Sequence, residues 1–200
     1  LSKYHKRVVY FPHSFYDELV SDAEISESDE KYDICFIGAI YDNSRREDIV
    51  NMLKEKYSLY PKSVNSWGEE KARALKSSKI YLNLHQDESL VMECPRLYEY
   101  FANECFVLSE PIKYSQHFTS GEDFDTVYPM DMCTKIDYYL ANDQERVRIA
   151  KNAHNKVLNQ PIERNVEILI NEILMEMYHK KYKGNVFSKL GNLCKHLFRK

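Results

Sequence analysis

Residues 32–39, YDICFIGA, decide the fold. Their apolar character is continuous rather than alternating, the mark of a strand buried on both faces, and Gly38 stands at the carboxyl end. NSRREDIVNMLKEKY (43–57) follows with helical apolar spacing. Asn43 or Ser44 is placed to cap it, and Ile49 and Leu53, with Met52 as a further candidate, are placed to face inward. The alternation then repeats. SLYPKSV (58–64) reads as a weak strand interrupted by Pro61, GEEKARALKSS (68–78) as a helix and KIYLNLH (79–85) as a strand. PRLYEYFANE (95–104) is a helix with Pro95 in its first turn, where the missing N–H costs nothing. CFVLSE (105–110) is a strand, and MCTKIDYYLAN and DQERVRIAKNAHNKVLN are two more helices. Strand and helix in strict alternation with short connections predict an α/β chain, a parallel sheet with helices on both faces.

Working outward, Val8–Phe11 is a short β-rich run, and SDAEISESDEK (21–31) is acidic, small and without apolar period, a surface linker. From Ile162 to about Tyr182 a long amphipathic helix is expected, with Ile162, Val166, Leu169, Ile170, Ile173, Leu174 and Met177 on one stripe. NVFSKLGNLCKHLFRK (185–200) is a second amphipathic segment among lysines. The expected division is a linker leading in (1–31), the α/β domain (32–160) and a helical basic tail (161–200).

At 200 residues, 44% hydrophobic and 30% charged, the chain is long and apolar enough to bury a core. Five cysteines, at 35, 94, 105, 133 and 194, show no CxxC spacing and no His/Cys cluster of zinc type, which points to a reduced, cytoplasmic chain. No apolar run approaches the roughly 20 residues needed to cross a bilayer, and no signal peptide precedes the first strand. The sequence opens at Leu1 rather than methionine, so a piece of a longer protein is expected. Its net charge of −3 is uneven: after Glu176 there is no acidic residue but Lys180, Lys181, Lys183, Lys189, Lys195, Arg199 and Lys200. The acidic remainder argues against nucleic-acid binding, while the basic tail suits peripheral contact with an anionic membrane, a partner, or packing on another domain.

In an open parallel sheet, ligands bind outside the carboxyl ends of the strands. Three segments occupy that rim. In GAIYDNSRRE (38–47), Gly38 permits close backbone approach, and Arg45 and Arg46 either meet a phosphate or are solvated first-turn residues. NLHQDESLVMEC (83–94) is long for a βα connection, and its His85 is either a ligand contact or a structural strand-end histidine. In MECPRLYEYFANE (92–104), Arg96, Glu99 and Asn103 share one helix face, as a surface ion pair or as a ligand grip, while Leu97 and Phe101 point to the core.

Taken together, YDICFIGAIYDNSRRE, ALKSSKIYLNLH, CPRLYEYFANECFVLSE and HFTSGEDFDTVYPMDMCTKIDYYLANDQERVRIAKNAHNKVL resemble, over roughly residues 32–158, the C-terminal domain of a bacterial group 1 glycosyltransferase. Such enzymes have the GT-B form with two Rossmann-like domains; the match is to the spore-protein CgeB-like type. The resemblance rests on a strand ending Phe-x-Gly before an Arg-bearing helix, a Leu-Asn strand before an Arg-x-[Phe/Tyr]-Glu helix, and a Phe-x-x-Gly-x-Asp turn. It implies a donor-binding half in which Glu99 holds the ribose hydroxyls of a nucleotide-sugar and Arg96 lies near its diphosphate. By the same mapping Gly38 and Arg46 fall on the phosphate-facing loop and Gly121 and Glu122 on the later turn, and His85, from its place on the rim, joins them as a candidate donor contact. No obligatory metal or cofactor is implied, and the acidic group Glu122, Asp123 and Asp125 is read as surface. The site for the acceptor, a glycan or another glycosylated molecule, and any general base would lie largely on an N-terminal domain outside this chain, so catalytic residues stay unassigned. Where relatives carry a small residue and glycine after the helix, this chain has Asn103-Glu104; where many retaining relatives carry an upstream glutamate it has Val91, with Glu93 displaced by two. The rival reading is a non-catalytic Rossmann-like module that uses its basic tail for a partner or membrane. A response-regulator-like domain is disfavoured because no acidic pair follows the first strand.

Overall fold

The computed structural model describes residues 10–21, 32–60, 68–88 and 90–181, with side chains as far as Tyr178. The chain divides into two units, His13–Pro161, and Leu1–Pro12 with Ile162–Lys200.

In the first unit, β1 (Tyr32–Cys35), β2 (Ser78–Asn83), β3 (Val107–Ser109) and β4 (Asp125–Thr126) form a sheet in the order β1-β2-β3-β4, every neighbouring pair parallel. Ile34 lies opposite Ile80, Tyr81 opposite Val107 and Leu108 opposite Asp125. The weak strand expected at 58–64 is reduced to one parallel bridge, Leu59 to Ile34, on the outer side of β1; residues 61–67 lie outside the described ones. Five helices cross between or follow the strands: α1 (Arg45–Lys54), α2 (Glu69–Ala74), α3 (Cys94–Ala102), α4 (Met132–Ala141) and α5 (Asp143–Leu158).

Because successive strand residues point to opposite faces, the continuous apolar runs feed two cores. Ile34, Phe36, Ile80, Leu82 and Leu108 pack with Val50 and Leu53 of α1 and Ile136 of α4. Cys35, Tyr81 and Val107 pack with Leu97 and Phe101 of α3 and with Ala153 and Val157 of α5. This is the Rossmann-like α/β architecture with helices on both faces. Truncating a fully buried member such as Leu53 or Leu97 to alanine costs about 2–5 kcal/mol.

Two helix ends matter for the site. Ser44 caps α1, its Oγ accepting the Glu47 N–H at 3.2 Å, while Glu47 Oε2 accepts the Asn43 N–H at 2.7 Å; both side chains thereby satisfy N–H groups at the helix start. Val50, not Met52, completes the inward stripe: Met52 is 39% exposed. At the other end of α3, Glu104 takes φ +53°, a left-handed conformation that favours glycine. Its N–H donates to Phe101 O at 3.2 Å and that of Cys105 to Tyr100 O at 3.0 Å, closing the last turn. Asn103 Nδ2 donates to Leu19 O at 2.7 Å and its Oδ1 accepts the Ser21 N–H at 2.7 Å, so residues 13–21 are fastened to the α/β unit. Linker residues 22–31 lie outside the described ones.

In the second unit α6 (Ile162–Lys181) is helical as expected, and Val166, Ile170, Ile173, Leu174 and Met177 on its stripe are exposed. No described helix is long and apolar enough to cross a membrane. The basic segment 185–200 lies outside the described residues.

Candidate functional site

The carboxyl ends of β1, β2 and β3 converge on a rim crowded with charge. The chain leaves β1 through Phe36 and Ile37, whose N–H donates to the Tyr100 hydroxyl at 3.0 Å, so α3 holds the start of the loop. Two guanidiniums lie over the buried Phe36 ring, Arg46 at 5.4 Å and Arg96 at 5.0 Å from its centroid, where the face of the ring attracts cations. Gly38 is required by this arrangement. A Cβ there would sit 2.8 Å from Arg96 Nη2 and 2.8 Å from Phe36 Cζ.

Arg46 is 5% exposed and spends all its donors inside the protein. Its Nε and Nη2 donate to Leu84 O at 3.0 and 2.8 Å, Nη1 to Ala39 O at 3.2 Å and Gln86 Oε1 at 2.7 Å, and Nη2 to Glu93 Oε1 at 2.5 Å. Burial pulls this guanidinium below the ordinary arginine value, and Glu93 offsets part of that. The residue works as a clamp that joins the loop after β1, the loop after β2 and the head of α3.

Arg96, in the first turn of α3, is held differently. Nη1 donates to Asn83 Oδ1 at 2.9 Å and to Leu84 O at 3.3 Å, and Nη2 is paired with the second oxygen of Glu93. Asn83 is itself locked by Nδ2 donating to Ser109 Oγ at 2.9 Å. Among the described residues the Arg96 Nε–H and one Nη2–H take no partner. Neither do the backbone N–H groups of Gly38, which lies beside the same guanidinium, and of Ala39 and Ile40, which follow it. The result is a fixed planar cation next to uncommitted backbone donors, the geometry that receives phosphate oxygens.

The remaining expected residues separate. Arg96 and Glu99 do not pair with each other: Arg96 reaches back to Glu93, and Glu99 Oε1 takes Lys71 Nζ of α2 at 2.5 Å. His85 is buried, its N–H donating to Glu110 Oε2 at 2.7 Å and its Nε2 lying 2.9 Å from Pro111 O, so it ties β2 to the segment after β3. The same Glu110 carboxylate is gripped by both Nη atoms of Arg45, a pairing that holds the Arg45 guanidinium above its usual value. Gly121 and Glu122 lie in the turn that enters β4 from its amino end and bond to α5: Gly121 O accepts Arg148 Nη2 at 3.1 Å and Glu122 O accepts Asn152 Nδ2 at 3.1 Å. The structure does not bring this turn together with Gly38, Arg46 and Arg96. Lys71 and Glu110 were not singled out in sequence, and Asn83 entered only as part of the Leu-Asn strand pattern. The available signals were a polar residue inside the apolar strand 79–85 and an acid closing the strand 105–110. Among the described residues no group of three or more His, Cys, Asp or Glu side chains could hold a metal ion.

Fold and rim together define a Rossmann-like α/β domain with a charged rim at the carboxyl ends of its strands. The chain matches the glycosyl transferase-like family over residues 39–169, more than half of its length, and belongs to that family. No curated protein sequence matches it. Among solved structures, it is similar to TarM from S. aureus in complex with fondaparinux, α-GlcNAc-glycerol and UDP, at 11% identity, 82% of this chain, 37% of that one and a TM-score of 0.52. It is also similar to HepE from Anabaena in complex with UDP-glucose, at 9% identity, 70% of this chain, 40% of that one and a TM-score of 0.51. A C-terminal domain of a group 1 family glycosyl transferase, LpcC of Francisella tularensis, matches at 15% identity over 65% of this chain and 86% of that one, with a TM-score of 0.48. The chain therefore spans well under half of the two longer neighbours, with which it shares the fold.

Proposed function

We propose that the chain is the donor-binding half of a GT-B glycosyltransferase of CgeB-like type, with residues 32–160 as the nucleotide-sugar domain. The observation that carries this is Arg96. It is held against Gly38 and Phe36 at the carboxyl rim with two N–H groups uncommitted, beside the open backbone donors of residues 38–40. The donor's diphosphate binds there, and Glu99, one turn further along α3, accepts the ribose hydroxyls. In transfer, the bond between the anomeric carbon and the phosphate oxygen breaks and the leaving diphosphate gains negative charge. Arg96 and the backbone N–H groups stabilise that charge without a metal. The site for the acceptor, a glycan or another glycosylated molecule, and the base that deprotonates it lie largely on an N-terminal domain, and the enzyme works in the cytoplasm.

Two neighbours of this fold hold UDP or UDP-glucose, which makes uridine diphosphate the first probe. Calorimetry of the chain with UDP, GDP and their sugar conjugates tests the reading. One of them should bind, a chelator should leave binding unchanged, and Arg96→Ala should weaken it by about tenfold to a hundredfold, the worth of a charge-assisted bidentate contact. Failure of every donor to bind, with Arg96→Ala and Glu99→Ala indistinguishable from the parent, sinks the assignment.

A further inference from the structure

We infer that Lys71 is a positioning residue for ribose recognition, acting through Glu99; the inference rests on the ribose reading of Glu99 given above. Lys71 is the third residue of the six-residue α2 and belongs with Arg73 to its last turn, while Glu69 and Glu70 hold the first. Its Nζ meets Glu99 Oε1 of α3 at 2.5 Å, with the two side chains only 23% and 17% exposed. The pair is thus drawn out of water, between two helices that are themselves fixed. Ala74 and Leu75 at the end of α2 are buried in the same core as Phe101 of α3, and Cys105 Sγ, just past α3, lies 3.2 Å from Leu75 O.

A carboxylate on a glutamate stem swings freely, and its terminal torsion is broad. Lys71 removes that freedom by taking Oε1. Oε2 has no hydrogen-bond partner among the described residues. The free oxygen is then presented in one orientation, placed to accept from a sugar hydroxyl. A ribose hydroxyl donates one such bond well, and a deoxyribose has nothing to offer it, so the fixed carboxylate favours ribonucleotides over their deoxy forms.

The test is titration of the chain with whichever nucleoside diphosphate binds, UDP or GDP, in parallel with its 2′,3′-dideoxy form. Lys71→Met should weaken the ribonucleotide about tenfold, the worth of one charge-assisted hydrogen bond, and leave the dideoxy form unchanged. Lys71→Arg, which keeps the charge, should retain most of the ribose preference. Equal weakening of both ligands marks a merely structural lysine and overturns the inference, as does an unchanged preference. Glu99→Ala separates the two levels. If it abolishes the ribose preference while Lys71→Met does not, only the role of Lys71 falls; if it leaves the preference intact, the reading of Glu99 falls and takes Lys71 with it. No nucleotide binding by the parent chain overturns both.

Discussion

Two charged clusters lie at opposite ends of the same parallel sheet, and both belong to segments with family-like sequence. At the carboxyl rim, Arg45, Arg46 and Arg96 face Glu93 and Glu110. At the amino end of β4, Asp123 takes Lys156 and the Thr119 N–H, Arg148 pairs with Glu145 and Gly121 O, and Asp125 takes Lys135 and Tyr139. In the second cluster the open donors sit on half-exposed side chains: Arg148, 46% exposed, bonds through Nε and Nη2 only. In the first, among the described residues, the edge of a guanidinium only 12% exposed and three backbone N–H groups take no partner. Charge density alone therefore does not mark a ligand site; unspent donors held rigid do.

The comparison breaks hardest at Arg46. Arg46→Met leaves Glu93 short of a partner and Leu84 O without two of its donors, and should lower the stability of the fold by about 3–5 kcal/mol in urea unfolding. A loss under 1 kcal/mol would show that the clamp is ornamental. Gly38→Ala should act on the open part of the rim: with a methyl 2.8 Å from Arg96 Nη2, nucleotide affinity should fall roughly tenfold, and because the same methyl meets the buried Phe36 ring at 2.8 Å the fold should lose about 1–3 kcal/mol. Affinity equal to the parent's would place the phosphate elsewhere.

At the amino end of the sheet the readout is pH. Burial pushes the Asp125 carboxyl up, but Lys135, Tyr139 and the Thr126 N–H outweigh it and hold its value below the ordinary 3.8. With the folded value below the unfolded one, this stabilisation is complete above 3.8 and disappears as pH falls through the depressed folded value. Asp125→Asn should cost on the order of 1–3 kcal/mol at neutral pH and flatten the acid limb of the stability profile, with nucleotide binding untouched. The smallest effect belongs to Glu104→Gly. It relieves the left-handed strain at φ +53° and should raise stability by about 1 kcal/mol, less whatever the contact of Glu104 with His154 Nε2 at 3.7 Å contributes. A loss of stability would mean that the side chain matters more than the backbone there.

The sheet was legible because runs such as 32–39 and 79–85 are apolar without alternation, and only a doubly covered strand has use for that. The outer strand at 58–64 was not, since Pro61 leaves it a single bridge at Leu59. Met52 and Val50 flank the inward face of α1, and periodicity alone ranks them alike; packing against the sheet picks the β-branched one. Arg96 was legible as a rim residue, but its partner was not. Glu93 and Glu99 are equally spaced from it, three residues back and three forward, and local spacing has no preference between them. The choice is made by Arg46 and Lys71, which arrive from α1 and α2 and claim one carboxylate each. Of the two places where this chain departs from its relatives, Glu104 turns out to occupy the left-handed position that glycine would fill.

The carbonyl of Leu84 receives three N–H groups, two from Arg46 and one from Arg96, and Arg46 also reaches a carboxylate 47 positions along the chain. The Arg96 half of that knot is local to the β2–α3 unit, but the Arg46 half joins α1 to the loop after β2 and to the head of α3. The rim is therefore complete only when the first two strand-helix units have docked side by side, and its integrity reports that β1 and β2 are in register.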